Sequence, residues 1–183
     1  MDPASVPWGG GLAERWPPGG RVAAPLRLHR TTVRADWVDY NEHLSEWAYL
    51  LVLGDGADAF FRFVGIDEAY RAAGLSVYTA ETHLRHLREV KLGQQLDLTL
   101  QILGTDAKRL HLLHEMHSPG SGCAATAEQL LVHVDTGASR VVPFPERLAA
   151  RLRVVAAAHA ALAVPGHVGQ PMRTPGRGSS RGS

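Results

Sequence analysis

Acids, aromatics, an amide and a histidine are packed into eight residues, Asp36-Trp37-Val38-Asp39-Tyr40-Asn41-Glu42-His43, directly ahead of an apolar run with helical spacing. The start of a helix offers unpaired backbone N–H groups and positive potential, a setting suited to a developing oxyanion. A carboxylate beside it can act as general base or nucleophile. Asp39 and Asn41 would equally serve as simple helix caps. The residue types alone leave both roles open.

Other groupings carry less chemistry. Gly54-Asp55-Gly56-Ala57-Asp58-Ala59 has the form G-x-G-x-x-A of a dinucleotide-binding turn. However, the position twenty residues beyond Gly54 is Gly74, where an acid for a ribose hydroxyl is wanted. The competing reading is a helix carrying two glycines because a sheet or second helix packs closely against it. Among ten histidines, His111, His114 and His117 are the densest set. On a strand a spacing of three alternates faces, so they do not converge on a metal. The same holds for His83 and His86. Cys123 has no nucleophile motif around it, and Ser121 lacks the G-x-S-x-G frame. No metal site and no cofactor are expected.

The elements that must position Asp39 follow from periodicity. Residues 26–34 read as a strand, with a β-branched cluster at Thr31, Thr32 and Val33. From His43 to Gly65, Leu44, Trp47, Ala48, Leu51, Val52, Ala59, Phe60 and Phe63 recur at helical spacing. Asn41 or Asp39 could cap the start of that helix. A shorter helix over 66–73 ends at Gly74. Residues 77–90 are extended, and Leu96, Leu98, Leu100 and Ile102 alternate with polar residues as a half-buried strand. Residues 110–117 and 124–134 read as strands, although 125–131 also suits a helix on propensity. A short strand at 140–142 precedes a helix from Pro145 to about Leu162. One long helix followed by an antiparallel meander makes an α+β domain with the sheet wrapped around the helix. Such a protomer leaves sheet edges unpaired, and dimerisation is the simplest remedy.

The chain has 183 residues, 45% of them hydrophobic and 20% charged, with a formal net charge of +1. That suits one soluble domain and not a strongly basic nucleic-acid binder. One cysteine excludes an intrachain disulfide framework. No apolar run is long enough to span a membrane and no secretory leader is evident, so a cytoplasmic protein is expected. Residues 1–25 hold five prolines and five glycines, and residues 164–183 hold three and five. Both ends are expected to be disordered. The intervening domain, 26–163, has 14 basic and 16 acidic side chains, a net charge of −2. The basic excess belongs to the tail and its arginines at 173, 177 and 181.

Val38-Asp39-Tyr40-Asn41-Glu42-His43-Leu44-Ser45-Glu46, followed by Tyr49-Leu50, resembles the D-x-x-G-H-x-N-x-x-Y-L signature of 4-hydroxybenzoyl-CoA-type thioesterases of hotdog fold. The blocks 78–87, 106–111 and 131–136 resemble one subgroup more closely, the betainyl-CoA thioesterases of carnitine breakdown. These occur alone or fused behind carnitine dehydrogenase, and the first 25 residues resemble a remnant of the fusion linker. Glu42 stands where the signature has glycine, and Ser45 where it has asparagine. The resemblance implies hydrolysis of a short acyl-CoA, foremost betainyl-CoA, at a site shared by two subunits of a homodimer or homotetramer. Asp39 takes the place of the catalytic acid, with Asn41 beside it and the N–H groups near His43 and Leu44 polarising the thioester. Glu81, Asp55 and Asp58 are alternative carboxylates, because related enzymes place the acid on the central helix. A trimethylammonium group favours aromatic faces, which makes Trp37, Tyr40, Trp47, Tyr49 and Tyr78 cage candidates. Coenzyme A needs cations for its phosphates, and Arg85, Arg88, Lys91, Lys108 and Arg109 are candidates. A second function compatible with the same residues is a non-catalytic hotdog module that binds acyl-CoA.

Overall fold

The structure is a computed structural model and describes residues 16–17 and 21–172. A first strand, β1 (Leu26–Thr32), leads through a 3-10 turn (Ala35–Trp37) to the long helix α1 (Glu46–Val64) and the short helix α2 (Glu68–Ala72). Then come β2 (Leu75–His86), β3 (Gln95–Thr105), β4 (Arg109–Ser118), β5 (Gly122–Asp135), the two-residue β6 (Arg140–Val141) and helix α3 (Glu146–His159). The sheet is antiparallel throughout, in the order β1-β3-β4-β5-β2, with β6 on the end of β5. It curls around α1, which is the expected hotdog arrangement.

The apolar spacing of α1 buries Ala48, Tyr49, Val52, Leu53, Phe60, Phe63 and Val64 against the sheet's concave face. Gly65 ends the helix at φ +100°, and its N–H returns to the carbonyls of Phe61 and Arg62. Gly56 faces the sheet so closely that an added Cβ would lie 2.7 Å from the Leu98 side chain. That close approach explains the glycine. The dinucleotide-turn reading is overturned, because Gly54 and Gly56 both sit inside α1 and no parallel crossover follows. The helical alternative for 125–131 also fails. β5 is paired along both edges, to β2 and to β4, and two full ladders outweigh the modest helix preference of Ala, Glu, Gln and Leu.

Strand alternation separates the histidines as the spacing requires. His114 points into the core and is 1% exposed. His111 and His117 lie on the other face, paired with Glu128 at 2.8 Å and Glu115 at 3.3 Å. Near the end of α3, His159 accepts the Ile102 N–H at 2.9 Å through Nδ1 and donates through Nε2 to the Ala23 carbonyl at 3.2 Å. It thereby satisfies an N–H beside the bulge in β3.

These buried imidazoles make stability depend on pH. Burial pushes His114 down to about 4, and also lowers His29 and His159. Unfolded, each has an ordinary value near 6.5. Below that value the unfolded chain takes up protons that the folded chain refuses, so stability falls as pH drops. His114 alone accounts for a loss on the order of 3 kcal/mol by pH 4. Asp55, whose carboxyl burial raises, works weakly in the opposite direction. Urea denaturation midpoints measured from pH 8 to pH 4 are expected to stay level down to about 6.5 and then decline. Level midpoints down to pH 4 would remove His114 from this account.

Order extends past both expected boundaries. Trp16 and Val22 pack on the core, with the Trp16 ring 5.4 Å from that of Phe63. Beyond α3 the chain crosses the convex face of the sheet. His167 bonds Thr126 at 3.2 Å, and the Gly169 N–H donates to Glu128 at 2.9 Å. Residues 164–172 are therefore held down by side chains of β5. Most of 1–20, and the arginine-bearing tail beyond Met172, lie outside the described residues. Among the described residues no helix is long and apolar enough to cross a membrane.

Candidate active site

The segment carrying Asp39 is a tight lariat between the 3-10 turn and α1. The Ser45 N–H donates to the Trp37 carbonyl at 2.8 Å and closes its neck. Inside it, the Asp39 N–H donates to His43 O at 2.9 Å, and the Glu42 N–H to Asp39 O at 3.0 Å. One oxygen of the Asp39 carboxylate accepts the Asn41 N–H at 2.8 Å and, more loosely, the His43 N–H at 3.4 Å. Asp39 therefore shapes its own turn and does not cap α1. The N-cap is Ser45, without a side-chain cap bond, which corrects the expectation for Asp39 and Asn41. The amides of Glu46 and Trp47, in the first turn, meet no acceptor among the described residues.

Glu42 sits at φ +62°, in the left-handed region. The turn demands that conformation, which is why glycine stands here in the signature. Glu42→Gly is expected to raise unfolding stability by roughly 1 kcal/mol, the steric cost of holding an L side chain there. Thermal or urea melts of the single variant check it, and a loss of stability would show that the Glu42 side chain compensates.

A second segment, just after β2, is stitched to the lariat. The Leu44 N–H donates to the Val90 carbonyl at 2.7 Å, and His43 bridges to Lys91. The Tyr49 hydroxyl reaches the Arg88 carbonyl at 3.4 Å, and the His43 Nε2 lies 3.2 Å from Glu89. Tyr49 stands edge-on to His86, with ring centroids 4.6 Å apart. Burial, helped by the Glu89 charge, pushes the Tyr49 phenol up. Between these segments lies a pocket of about 600 Å³ lined by His43, Glu46, Tyr49, His86, Arg88 and Glu89, with Leu44 and Leu87.

The sequence-derived candidates do not all converge. His43, Leu44 and Tyr49 line this pocket, and Asp39 and Asn41 share its loop. Leu44 has its amide committed to Val90, and the His43 amide points at Asp39, so the free donors are one turn further on. The aromatic cage does not assemble within a protomer. Trp37 is buried and its ring carries the Arg34 guanidinium 4.4 Å from its centre. Tyr40, 94% exposed, stands out from the lariat, and Trp47 is half exposed on α1. Tyr78 is on β2 eight residues from His86, roughly 25 Å along the strand.

Glu81 and Arg109 line a larger cavity, about 930 Å³, on the convex face beside His111, Glu128 and Gly169. There Arg109 is already paired with Asp106 at 2.7 Å. The Lys108 N–H, then Arg109, hold the Asp106 carboxyl down at about 2. Arg85 lies in a small hollow with His167 and Met172. Asp55 has His29, Asp58, Arg62 and Arg34 as charged neighbours, none lining the smaller pocket, and Asp58 pairs with Arg62 at 3.5 Å. The smaller pocket adjoins the Asp39 loop and the start of α1, whereas the larger cavity carries Glu81, Asp106 and Glu128 but no helix start among the described residues. Sequence reasoning missed Glu46, His86 and Glu89. His86 lies in the 78–87 block, but nothing local marks Glu89, which arrives here by the return of β2. Among the described residues no cluster of three or more His, Cys, Asp or Glu is placed to hold a metal ion.

The chain belongs to the thioesterase-like superfamily, whose family model matches residues 33–152. Within it, the chain is 43% identical to the betainyl-CoA thioesterase of Pseudomonas aeruginosa over 152 residues, 82% of this chain and 96% of that protein. It is 46% identical over 180 residues to the L-carnitine dehydrogenase/betainyl-CoA thioesterase of Rhizobium meliloti. There it spans 36% of the longer protein's length. Among solved structures, a Pseudomonas putida KT2440 protein described as a thioesterase aligns with TM-score 0.73 and 34% identity, over 85% of this chain and all of that one. A Staphylococcus aureus protein solved in complex with CoA aligns with TM-score 0.78 at 24% identity, over 85% and 99% of the two chains, and shares the fold.

Proposed function

We propose that this protein hydrolyses betainyl-CoA to glycine betaine and free coenzyme A, as a cytoplasmic step of carnitine breakdown. The near full-length match to the Pseudomonas aeruginosa betainyl-CoA thioesterase carries this reading. The lariat supports it chemically. Asp39 supplies the carboxylate, as nucleophile or as base for water, and the free amides of Glu46 and Trp47 receive the developing oxyanion. Water is the only co-reactant, and no metal or redox cofactor is assigned.

The working unit is a homodimer. Among the described residues β2 is an unpaired edge of twelve residues, and α1 presents Trp47, Leu50, Leu51 and Gly54 outward at helical spacing. A second copy pairing along β2 would cover both and bring the partner's aromatics and arginines toward the pocket. Release of free thiol from betainyl-CoA, followed with a thiol reagent, tests the activity directly. Tight acyl-CoA binding without turnover would favour the non-catalytic binding module instead.

A further inference from the structure

We propose that Glu89 is a specificity residue that selects a cationic acyl group. The inference rests on the betainyl-CoA reading above and adds the residue that reads the charge. A trimethylammonium head has no N–H to donate, so hydrogen bonding cannot recognise it. Ring surfaces and carboxylate charge can. Of the five aromatics that the sequence suggested for a cage, Tyr49 alone among the described residues lines the pocket within a protomer, so the charge of the pocket wall has to contribute to recognition.

Its lining has that character. Glu46 comes from the first turn of α1 and Glu89 from the segment after β2, and Arg88 is the one permanent cation that lines the pocket among the described residues. With the imidazoles neutral the wall carries a net negative charge. Tyr49, His86 and His43 supply three rings. Tyr49 is fixed by its packing on His86 and its bond to Arg88 O. Glu89 would be an ordinary surface acid except for one contact. The His43 imidazole, 3.2 Å away, holds its carboxylate at the pocket wall. Its side chain is 74% exposed, so keeping the charge there costs little desolvation, and the selectivity gained is correspondingly moderate. The same contact suggests a rival role, in which Glu89 only orients His43. Orientation would affect every substrate alike, whereas charge recognition would not.

The neutral isostere of the betainyl group separates the two. In 3,3-dimethylbutyryl-CoA a carbon replaces the quaternary nitrogen, keeping shape and removing charge. We would measure kcat/KM for both thioesters with wild type, E89Q and E89K, checking each fold by circular dichroism. The preference for betainyl-CoA is expected to fall roughly three- to tenfold in E89Q and further in E89K. Equal losses on both substrates, or an unchanged ratio in both variants, would overturn the role of Glu89 while leaving the substrate reading intact. A wild-type enzyme that hydrolyses the isostere but not betainyl-CoA would overturn the substrate reading, and this proposal with it.

Discussion

Asp39→Asn is expected to lower kcat for thioester hydrolysis by about a thousandfold, with KM staying within a few-fold of wild type. The substitution is nearly isosteric. An asparagine carbonyl can still accept the Asn41 and His43 N–H groups that the carboxylate now accepts, so the lariat keeps its shape. What disappears is the negative charge and the basic oxygen, the features needed for attack on the thioester or for proton removal from water. The affected interaction is made chiefly in the transition state, so the loss falls on kcat. Thermal melts of the variant should match wild type. Activity within threefold of wild type would move the acid elsewhere, with Glu81 and then Asp55 the next carboxylates to test. Single-turnover hydrolysis in heavy-oxygen water, together with hydroxylamine trapping, distinguishes the two roles. Attack of water at the Asp39 carbonyl of an acyl-Asp39 anhydride leaves a light enzyme oxygen in the first product, whereas attack at the acyl carbon labels the product as direct hydrolysis does, so a hydroxylamine-trapped acyl-enzyme marks the intermediate in that case.

The fold was legible because its signals are local and repeated. Leu96, Leu98, Leu100 and Ile102 all face inward from β3, as their alternation requires. The helical run becomes α1 from Glu46 onward, Leu44 staying outside it on the Val90 carbonyl, and Gly65 stops it by adopting the left-handed conformation that a Cβ penalises. The lariat was legible for a similar reason, since its residues are neighbours in sequence. The rest of the site was not. Glu89 meets His43 from 46 positions away in the chain, and only the return of β2 beneath the start of α1 brings them together. Trp37 and Tyr78 belong to the same aromatic-rich composition as Tyr49, yet burial and strand position take them out of the pocket. The error over Asp39 as cap has the same origin. Propensity places an acid at a helix start, but the αL turn at Glu42 sets α1 back to Ser45 and leaves Asp39 bonded to its own loop. That displacement leaves the Glu46 and Trp47 amides without an acceptor among the described residues.

Leu50→Glu is expected to split the proposed dimer and remove most of the activity with it. In the protomer Leu50 is 48% exposed on α1, one turn from Trp47 and beside Leu51, and the three form an apolar stripe left exposed among the described residues. The protomer gains little from that side chain, so the variant should fold, with unchanged circular dichroism. In a dimer built across the β2 edges the stripe would be buried, and a carboxylate there would lose its water without gaining a partner. Burying a lone charge in this way costs several kcal/mol, and about 3 kcal/mol weakens association by roughly a hundredfold. Sedimentation velocity or light scattering at micromolar protein should then report a monomer. Activity follows association if the pocket needs residues from both subunits, so specific activity of Leu50→Glu should rise with protein concentration while that of wild type stays constant. A variant that remains dimeric would move the interface away from α1, and the unpaired edge of β2 would then have to be covered in some other way. A stable monomer with full activity would instead show that one lariat, one set of α1 amides and one pocket are sufficient for the chemistry.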